Sequence, residues 1–251
     1  MLSIETANED DLVQTADLHK RNLRLGLFPR LGRHFLRHYQ ESFLRSPYGI
    51  ALVTRDEDDR ISGALFGTTA NAEHYRWVVR NCGWELAMAG GAALVTRPAV
   101  AIDFAGSRAG RYLRGIGRRL IPRSAVRGPQ ASSAPLPVLS HIVTRQDTRR
   151  SGIGRRLVER FRRLAGAEGA DRAVLVTEAG GLGAPFFERI GCICEAERRD
   201  EDGHVLRQYR LTLDPIETHA PYDPSPRTHA GLLVDHDAAR QRAGLVGAHP
   251  G

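Results

Sequence analysis

Apolar and polar residues alternate over positions 1–7, enough for a short first strand. Asn8 followed by Glu9, Asp10 and Asp11 is an N-cap with acids in the first helical turn. Leu12, Ala16, Leu18 and Leu23 give that helix a loose apolar face, and Gly26 closes it. Phe28-Pro29 marks a loop. Phe35, Leu36, Tyr39 and Phe43 form the apolar side of a second helix over about 31–44, ended by Ser46-Pro47-Tyr48-Gly49. Residues 50–54 and 61–68 are strands joined by a turn at Asp56-Glu57-Asp58-Asp59.

Residues 71–134 leave this plan. They have helical character, with breaks expected at Gly90-Gly91, Arg97-Pro98 and Gly106-Ser107, and end in a loop rich in Gly, Pro and Ser over 128–137. Regular structure resumes with a strand at 138–144 and a helix from Gly152 to about Glu168. Then come a buried-type strand at 173–177, a Gly-rich loop, a short helix through 186–190, and strands over about 192–199 and 204–213. Residues 214–251 have little periodicity and are expected to be a disordered tail.

Composition narrows the class. A chain of 251 residues, 41% apolar and 26% charged, is neither fully disordered nor a coiled coil. Three cysteines exclude a disulfide scaffold. Cys192 and Cys194, two apart on a strand, are expected to share a face as buried free thiols. The acidic start MLSIETANEDDL has no apolar core, so the expected location is the cytoplasm. The stretch from Trp84 to Phe104 contains Glu85, Arg97, Pro98 and Asp103, too polar for a membrane span.

The net charge is +7, and Lys20 is the sole lysine. Between Phe104 and Gln146 there are eight arginines and no acid. Arg108, Arg111, Arg114 and Arg118 fall on one side of a candidate helix, opposite Leu113, Ile116 and Leu120. For the Arg108–Arg127 segment three readings stand open: a lid holding an anionic ligand, a face for an acidic membrane surface, or a packing helix with solvated arginines. Tyr112 is its one aromatic, which argues against nucleic acid.

Chemistry concentrates between Ile142 and Gly154. A strand enters a turn with two glycines and then a helix directly. First-turn N–H groups there have no intrahelical acceptors, and the helix dipole favours an anion. Gly152 and Gly154 leave room for a pyrophosphate, and Arg149, Arg150 and Arg155 add positive charge. The spacing Arg149-x-x-Gly152-x-Gly154 resembles the acetyl-CoA signature of the GNAT superfamily of N-acetyltransferases. Pro185-Phe186-Phe187-Glu188-Arg189-Ile190-Gly191-Cys192 resembles the family's second landmark, a helix ending Tyr-Glu-x-Leu-Gly-Phe. The element order over 1–70 and 135–213 is similar to the family's as well.

The resemblance implies one α/β acetyltransferase domain over 1–213. It would be a mixed, mostly antiparallel sheet flanked by helices, interrupted by the helical insert 71–134 and followed by the loose tail 214–251. It implies transfer of an acetyl group from acetyl-CoA to a primary amine of a small molecule, such as an amino sugar, by direct attack in a ternary complex. A non-catalytic acyl-CoA-binding homologue is the alternative, and a homodimer is compatible with either. Acetyl-CoA would bind along Ile142, Val143 and Thr144 and the loop Arg149, Arg150, Ser151, Gly152, Ile153, Gly154 and Arg155. The Ile142 N–H would face the thioester oxygen, where electrostatic help counts most.

The sequence departs from the family pattern at two places. Phe187 stands where the family has its Tyr acid, and Gly180 where it has an Asn. The thiolate is a tolerable leaving group without that acid. Glu178, at the end of a strand, is the candidate base, whereas strand alternation turns His141 to the other face. Phe28, His34, His38 and Glu41 are the candidate contacts to the amine. His34 and His38 have a metal-ligand spacing but no further ligand, so no metal is expected.

Overall fold

The computed structural model describes residues 3–23, 26–103, 135–200 and 203–213. Strand β1 (Ile4–Thr6) leads into helices α1 (Asp11–Asn22), α2 (Leu27–Leu31) and α3 (Arg33–Arg45). A hairpin of β2 (Gly49–Arg55) and β3 (Ile61–Thr68) follows, then helices α4 (Asn71–Asn81), α5 (Gly83–Val95) and α6 (Pro98–Asp103). The second half comprises β4 (Val138–Thr144), a single 3-10 turn at Gln146–Thr148, α7 (Ile153–Gly166), β5 (Arg172–Glu178), α8 (Gly183–Arg189), β6 (Ile193–Arg199) and β7 (Val205–Thr212). The arginine-rich segment 108–127, the loop up to 134 and the tail 214–251 lie outside the described residues.

The seven strands of the described residues form one sheet in the order β1-β2-β3-β4-β5-β7-β6. Every neighbouring pair is antiparallel except β4 and β5. Strand β3 is central, and all eight of its residues are buried, which explains its apolar run with small residues between. One core lies on the α7–α8 face, with Leu65, Leu139, Leu157, Phe161, Leu175 and Tyr209. The other lies beneath α1, α2, α3 and α5, with Phe35, Tyr39, Phe43, Val53, Phe66 and Val143. Burial of an apolar side chain of this size is worth about 1.5–3 kcal/mol.

Local chemistry accounts for most boundaries. Asn8 Oδ1 accepts from the Asp10 and Asp11 amides at 2.9 and 3.2 Å, and the Asn8 amide donates to Asp11 Oδ2 at 2.9 Å. This reciprocal cap starts α1. The buried Asp11 carboxylate also receives the Arg55 guanidinium, tying α1 to the end of β2.

Three expectations are corrected. Phe28-Pro29 is not a loop but the short helix α2, because proline in a first turn removes no intrahelical bond. Gly90-Gly91 does not break α5. Each glycine costs only about 1 kcal/mol in a helix, and burial of Ala89 and Ala93 in the α3 layer offsets it. Cys192 and Cys194 do not share a buried face: Cys192 is buried before β6 begins, and Cys194 is exposed on that edge strand.

Helix α7 crosses β3 so closely that two positions exclude any side chain. A Cβ on Gly63 would lie 2.7 Å from Ile153 Cγ2, and one on Gly67 would lie 2.6 Å from the Phe161 ring and 2.8 Å from the Val138 carbonyl oxygen. Gly67→Ala is therefore expected to lower stability by about 1–3 kcal/mol through overpacking. Gly91→Ala, whose Cβ would meet nothing within 4 Å, is expected to raise it by roughly 0.5–1 kcal/mol. Urea unfolding of the two variants beside the parent chain measures both.

Candidate active site

The site begins where the one parallel pairing fails. β4 and β5 pair only through Val138↔Val174 and Leu139↔Leu175, although β4 continues for five further residues and β5 for three. The register between β3 and β4 jumps from Phe66↔His141 to Gly67↔Leu139, so Ser140 is an extra residue in β4. Such a bulge bends its strand and increases twist. β4 thus leans away from β5, and a wedge opens between them.

The wedge exposes backbone. The Arg145 amide donates to the Ser62 carbonyl at 2.9 Å, so its N–H points to the β3 side. Alternation along the strand then turns the Thr144 and Ile142 N–H groups the other way, into the wedge. Among the described residues no strand pairs with β4 there.

The loop after β4 is held from both ends. Arg145 reaches Asp56 Oδ2 at 2.8 Å and Asp147 Oδ1 at 2.7 Å. Hydrogen bonds from that guanidinium hold both carboxyls below their usual range; for Asp56 the Arg60 amide contributes most. Arg149 Nη2 donates to Asn22 Oδ1 at 2.7 Å, joining the loop to the end of α1. Arg150 and Gly152 both have left-handed backbones, with φ of 65° and 85°.

The first helical bond of α7 is Arg156 N–H to Gly152 O at 3.1 Å. The amides of Ile153, Gly154 and Arg155 therefore have no acceptor within the helix, and no side chain caps them. A Cβ at Gly152 would point into open space; one at Gly154 would crowd the Phe186 ring at 3.2 Å. The Ile153 side chain is buried in the core, so that residue has only its amide to offer a ligand. Ser151 Oγ donates to the Thr148 carbonyl at 2.6 Å, and Arg155 lies 3.4 Å from Glu159 on the exposed side of the helix.

Wedge and helix start are parts of one cleft of about 1780 Å³. Ile142, Val143, Thr144, Arg149, Arg150, Gly152, Ile153, Gly154 and Arg155 line it, as do Glu178, Phe187 and Phe28. Phe187 is buried, with ring centroids 5.1 Å from Phe186 and 6.2 Å from Tyr209, and offers no proton. The Tyr209 hydroxyl donates to Glu188 Oε1 at 2.7 Å. Glu178 Oε1 lies 3.1 Å from His204 Nδ1.

His34, His38 and Glu41, expected at the amine, do not line the cleft. They run along the side of α3 away from the sheet. There His34 packs edge-on against His38, His38 lies 3.4 Å from Glu41, and Glu41 lies 3.5 Å from Arg45. The reason is the helical period: α3 turns Tyr39, Gln40 and Phe43 to the core instead. Among the described residues no group of three His, Cys, Asp or Glu is placed to hold a metal ion.

His19, on α1, was missed from sequence, and the other face to which His141 was expected to turn also borders the cleft. His19 and His141 have ring centroids 4.4 Å apart, and both line the cleft beside Asn22, Leu23, Leu27 and Tyr39. His141 also stacks on Phe66 at 4.7 Å. Burial lowers the pKa of His19 to about 4. Burial first, then the neighbouring His19, holds His141 well below the ordinary value. A signal for His19 existed: at i+3 from Ala16 and i+7 from Leu12, it falls on the apolar face of α1.

No protein-family model and no curated protein matches this sequence. Solved structures do match. The ribosomal-protein-S18-alanine N-acetyltransferase from Escherichia coli superposes with a TM-score of 0.50 at 11% identity, over 88% of this chain and 100% of that one. An aminoglycoside 6'-N-acetyltransferase complexed with coenzyme A gives 0.51 at 13% identity, over 85% and 98%. The chain thus has the GNAT fold that its motifs resemble.

The buried histidines carry a pH dependence. His74, stacked on Phe43 at 4.6 Å with neither ring nitrogen partnered, is lowered by burial to about 4, like His19. Between an ordinary 6.5 and 4 the unfolded chain binds more protons than the folded one. Stability from these sites is therefore complete above pH 6.5 and falls as pH drops toward 4. Each site contributes a slope of at most about 1.4 kcal/mol per pH unit. Urea midpoints from pH 7 to pH 4.5 should fall accordingly, and His74→Phe should flatten the decline.

Proposed function

We propose that this chain is an acetyl-CoA-dependent N-acetyltransferase acting on the amine of a small molecule, by direct attack in a ternary complex. The observation that carries the reading is the open backbone edge of β4 running toward the unpartnered amides of α7 in a single cleft. Those features match the two ends of acetyl-CoA. The peptide-like pantetheine arm can pair with Ile142 and Thr144 as an added strand. The diphosphate fits the amides of Ile153, Gly154 and Arg155, with Arg149 and Arg150 beside them. The fold shared with N-acetyltransferases supports the reading by analogy.

In this reading the Ile142 N–H donates to the carbonyl oxygen of the acetyl group and stabilises negative charge there as the amine attacks. Phe187 supplies no proton to the departing sulfur, which leaves as thiolate and takes its proton from solvent or the site. Glu178, paired with His204, stands at the cleft as one acid–base group. A cytoplasmic setting belongs to the same reading. An amino sugar is the acceptor considered from sequence. The α1–α3 side of the cleft, however, presents apolar side chains and imidazoles rather than carboxylates.

Titration calorimetry with coenzyme A and thiol release from acetyl-CoA across an amine panel test the proposal. Gly152→Val should weaken coenzyme A binding at least tenfold. Its left-handed backbone costs a branched residue about 1–2 kcal/mol, and the new side chain points into the open diphosphate position. Phe187→Tyr should raise turnover at low pH if the missing acid limits it. Unchanged affinity in Gly152→Val would remove the binding assignment. Tight coenzyme A binding without thiol release from any amine would leave a binding module.

A further inference from the structure

The acceptor end of the cleft has an unusual wall. Leu23, Leu27, Phe28, Pro29 and Tyr39 line it together with the imidazoles of His19 and His141. Phe28 packs on Tyr39 at 4.6 Å, and the Tyr39 ring stacks over His141 at 5.9 Å. The carboxylates that line the cleft among the described residues, Asp147 and Glu178, belong to the loop after β4 and the end of β5. Each is already engaged, Asp147 by Arg145 and Glu178 by His204. An ammonium entering this wall would lose water and gain no counter-charge.

The two imidazoles are not equivalent. The Thr15 hydroxyl donates to Gln40 Oε1 at 2.9 Å, which turns the Gln40 amide nitrogen toward His141 Nε2, 3.5 Å away. In the arrangement where that amide donates, His141 Nε2 accepts and the ring proton resides on Nδ1. His19 has no such anchor: its Nδ1 is buried without a partner.

The groups around the pair are few. From α3 come Tyr39, Gln40 and Phe43, and from β3 Phe66. His74 lies behind Phe43. On α1 itself Asp17 pairs with Arg33, Lys20 is exposed, and Arg149 arrives at Asn22, three residues beyond His19.

We propose that the acceptor is an uncharged aromatic amine and that His19 takes its proton during transfer, with His141 as the positioning residue. This rests on the transferase reading above and deepens it. An aromatic amine delocalises its nitrogen lone pair into the ring, so it reaches the apolar wall neutral. Its nitrogen forms a bond to the acetyl carbon while the carbon–sulfur bond breaks and leaves its electron pair on sulfur. The proton lost by nitrogen passes to the His19 imidazole and from there to the thiolate, so that the products are the amide and the free thiol. The lowered pKa of His19 keeps its imidazole in the proton-accepting form throughout the neutral range.

The test compares 4-methylaniline with 4-methylbenzylamine, which carries the same ring but an ammonium at pH 7. The expected result is at least a tenfold higher kcat/KM for 4-methylaniline at pH 7, with a kcat at saturating amine that is flat from pH 8 to 6. His19→Gln should lower that kcat tenfold or more at pH 7, with coenzyme A affinity unchanged by calorimetry. Equal or better turnover of 4-methylbenzylamine overturns the inference alone. So does full activity in His19→Gln, or an equal loss in Glu178→Gln with His19→Gln intact. Should His19→Gln fail to bind coenzyme A, the amine pair and the pH profile of the parent chain decide. Thiol release from neither amine nor any other, with coenzyme A bound, removes the transferase reading and this inference with it.

Discussion

A parallel strand pair that stops after two residues governs this molecule. β4 and β5 begin side by side at Val138 and Leu139 and then separate, leaving the β4 edge from Ile142 to Thr144 without a partner strand among the described residues. Backbone N–H and C=O groups in the middle of a sheet ordinarily find each other. Here they face a cleft, where water or an extended ligand must satisfy them. The cause is local. One extra residue, Ser140, bends β4 while antiparallel pairing with β3 continues on the other edge. β5 is drawn the opposite way by a complete seven-residue pairing with β7. The sheet remains continuous at the base of the wedge and is divided at its mouth.

The rest of the site is arranged around that opening. Helix α7 starts directly beyond the open edge and lies tightly on β3 because Gly63 and Gly67 leave no side chain beneath it. Its first amides therefore end up at the mouth of the wedge. The Arg149–Asn22 and Arg145–Asp56 bonds fasten the intervening loop to α1 and to the β2–β3 turn. α1 then carries His19 to within 4.4 Å of His141, closing the acceptor side with neutral, buried imidazoles. Cationic and amide donors collect at one end of the cleft, and apolar side chains with imidazoles at the other.

Much of this was legible from residues alone. The strand, glycine turn and helix from Ile142 to Gly154 are local, and each step has a local cause: alternation, a left-handed glycine and an uncapped first turn. Helix α3 was legible in its apolar period, but which polar residues faced the site was not. His34, His38 and Glu41 share one side of the helix, and only the packing of Tyr39 and Phe43 on the sheet determines that this side looks away. The bulge at Ser140 left no sequence mark, since neither glycine nor proline signals it. His19 was hidden differently: in a helix with a loose apolar face, a histidine can point to core or solvent, and contact with His141 across 122 positions of chain decides. The helix at Phe28-Pro29 escaped because proline signals a turn as readily as a first helical turn.

The central claim is that β4 offers Ile142 and Thr144 as free backbone donors to an extended ligand. Amide hydrogen exchange, resolved residue by residue by NMR, measures this directly. In the free protein the Ile142 and Thr144 amides should exchange rapidly, while those of His141 and Val143, which face β3, should be protected. Saturating acetyl-CoA should slow exchange at Ile142 and Thr144 by at least tenfold. Protection of all four amides in the free protein, or no change at Ile142 and Thr144 with acetyl-CoA bound, would contradict the account.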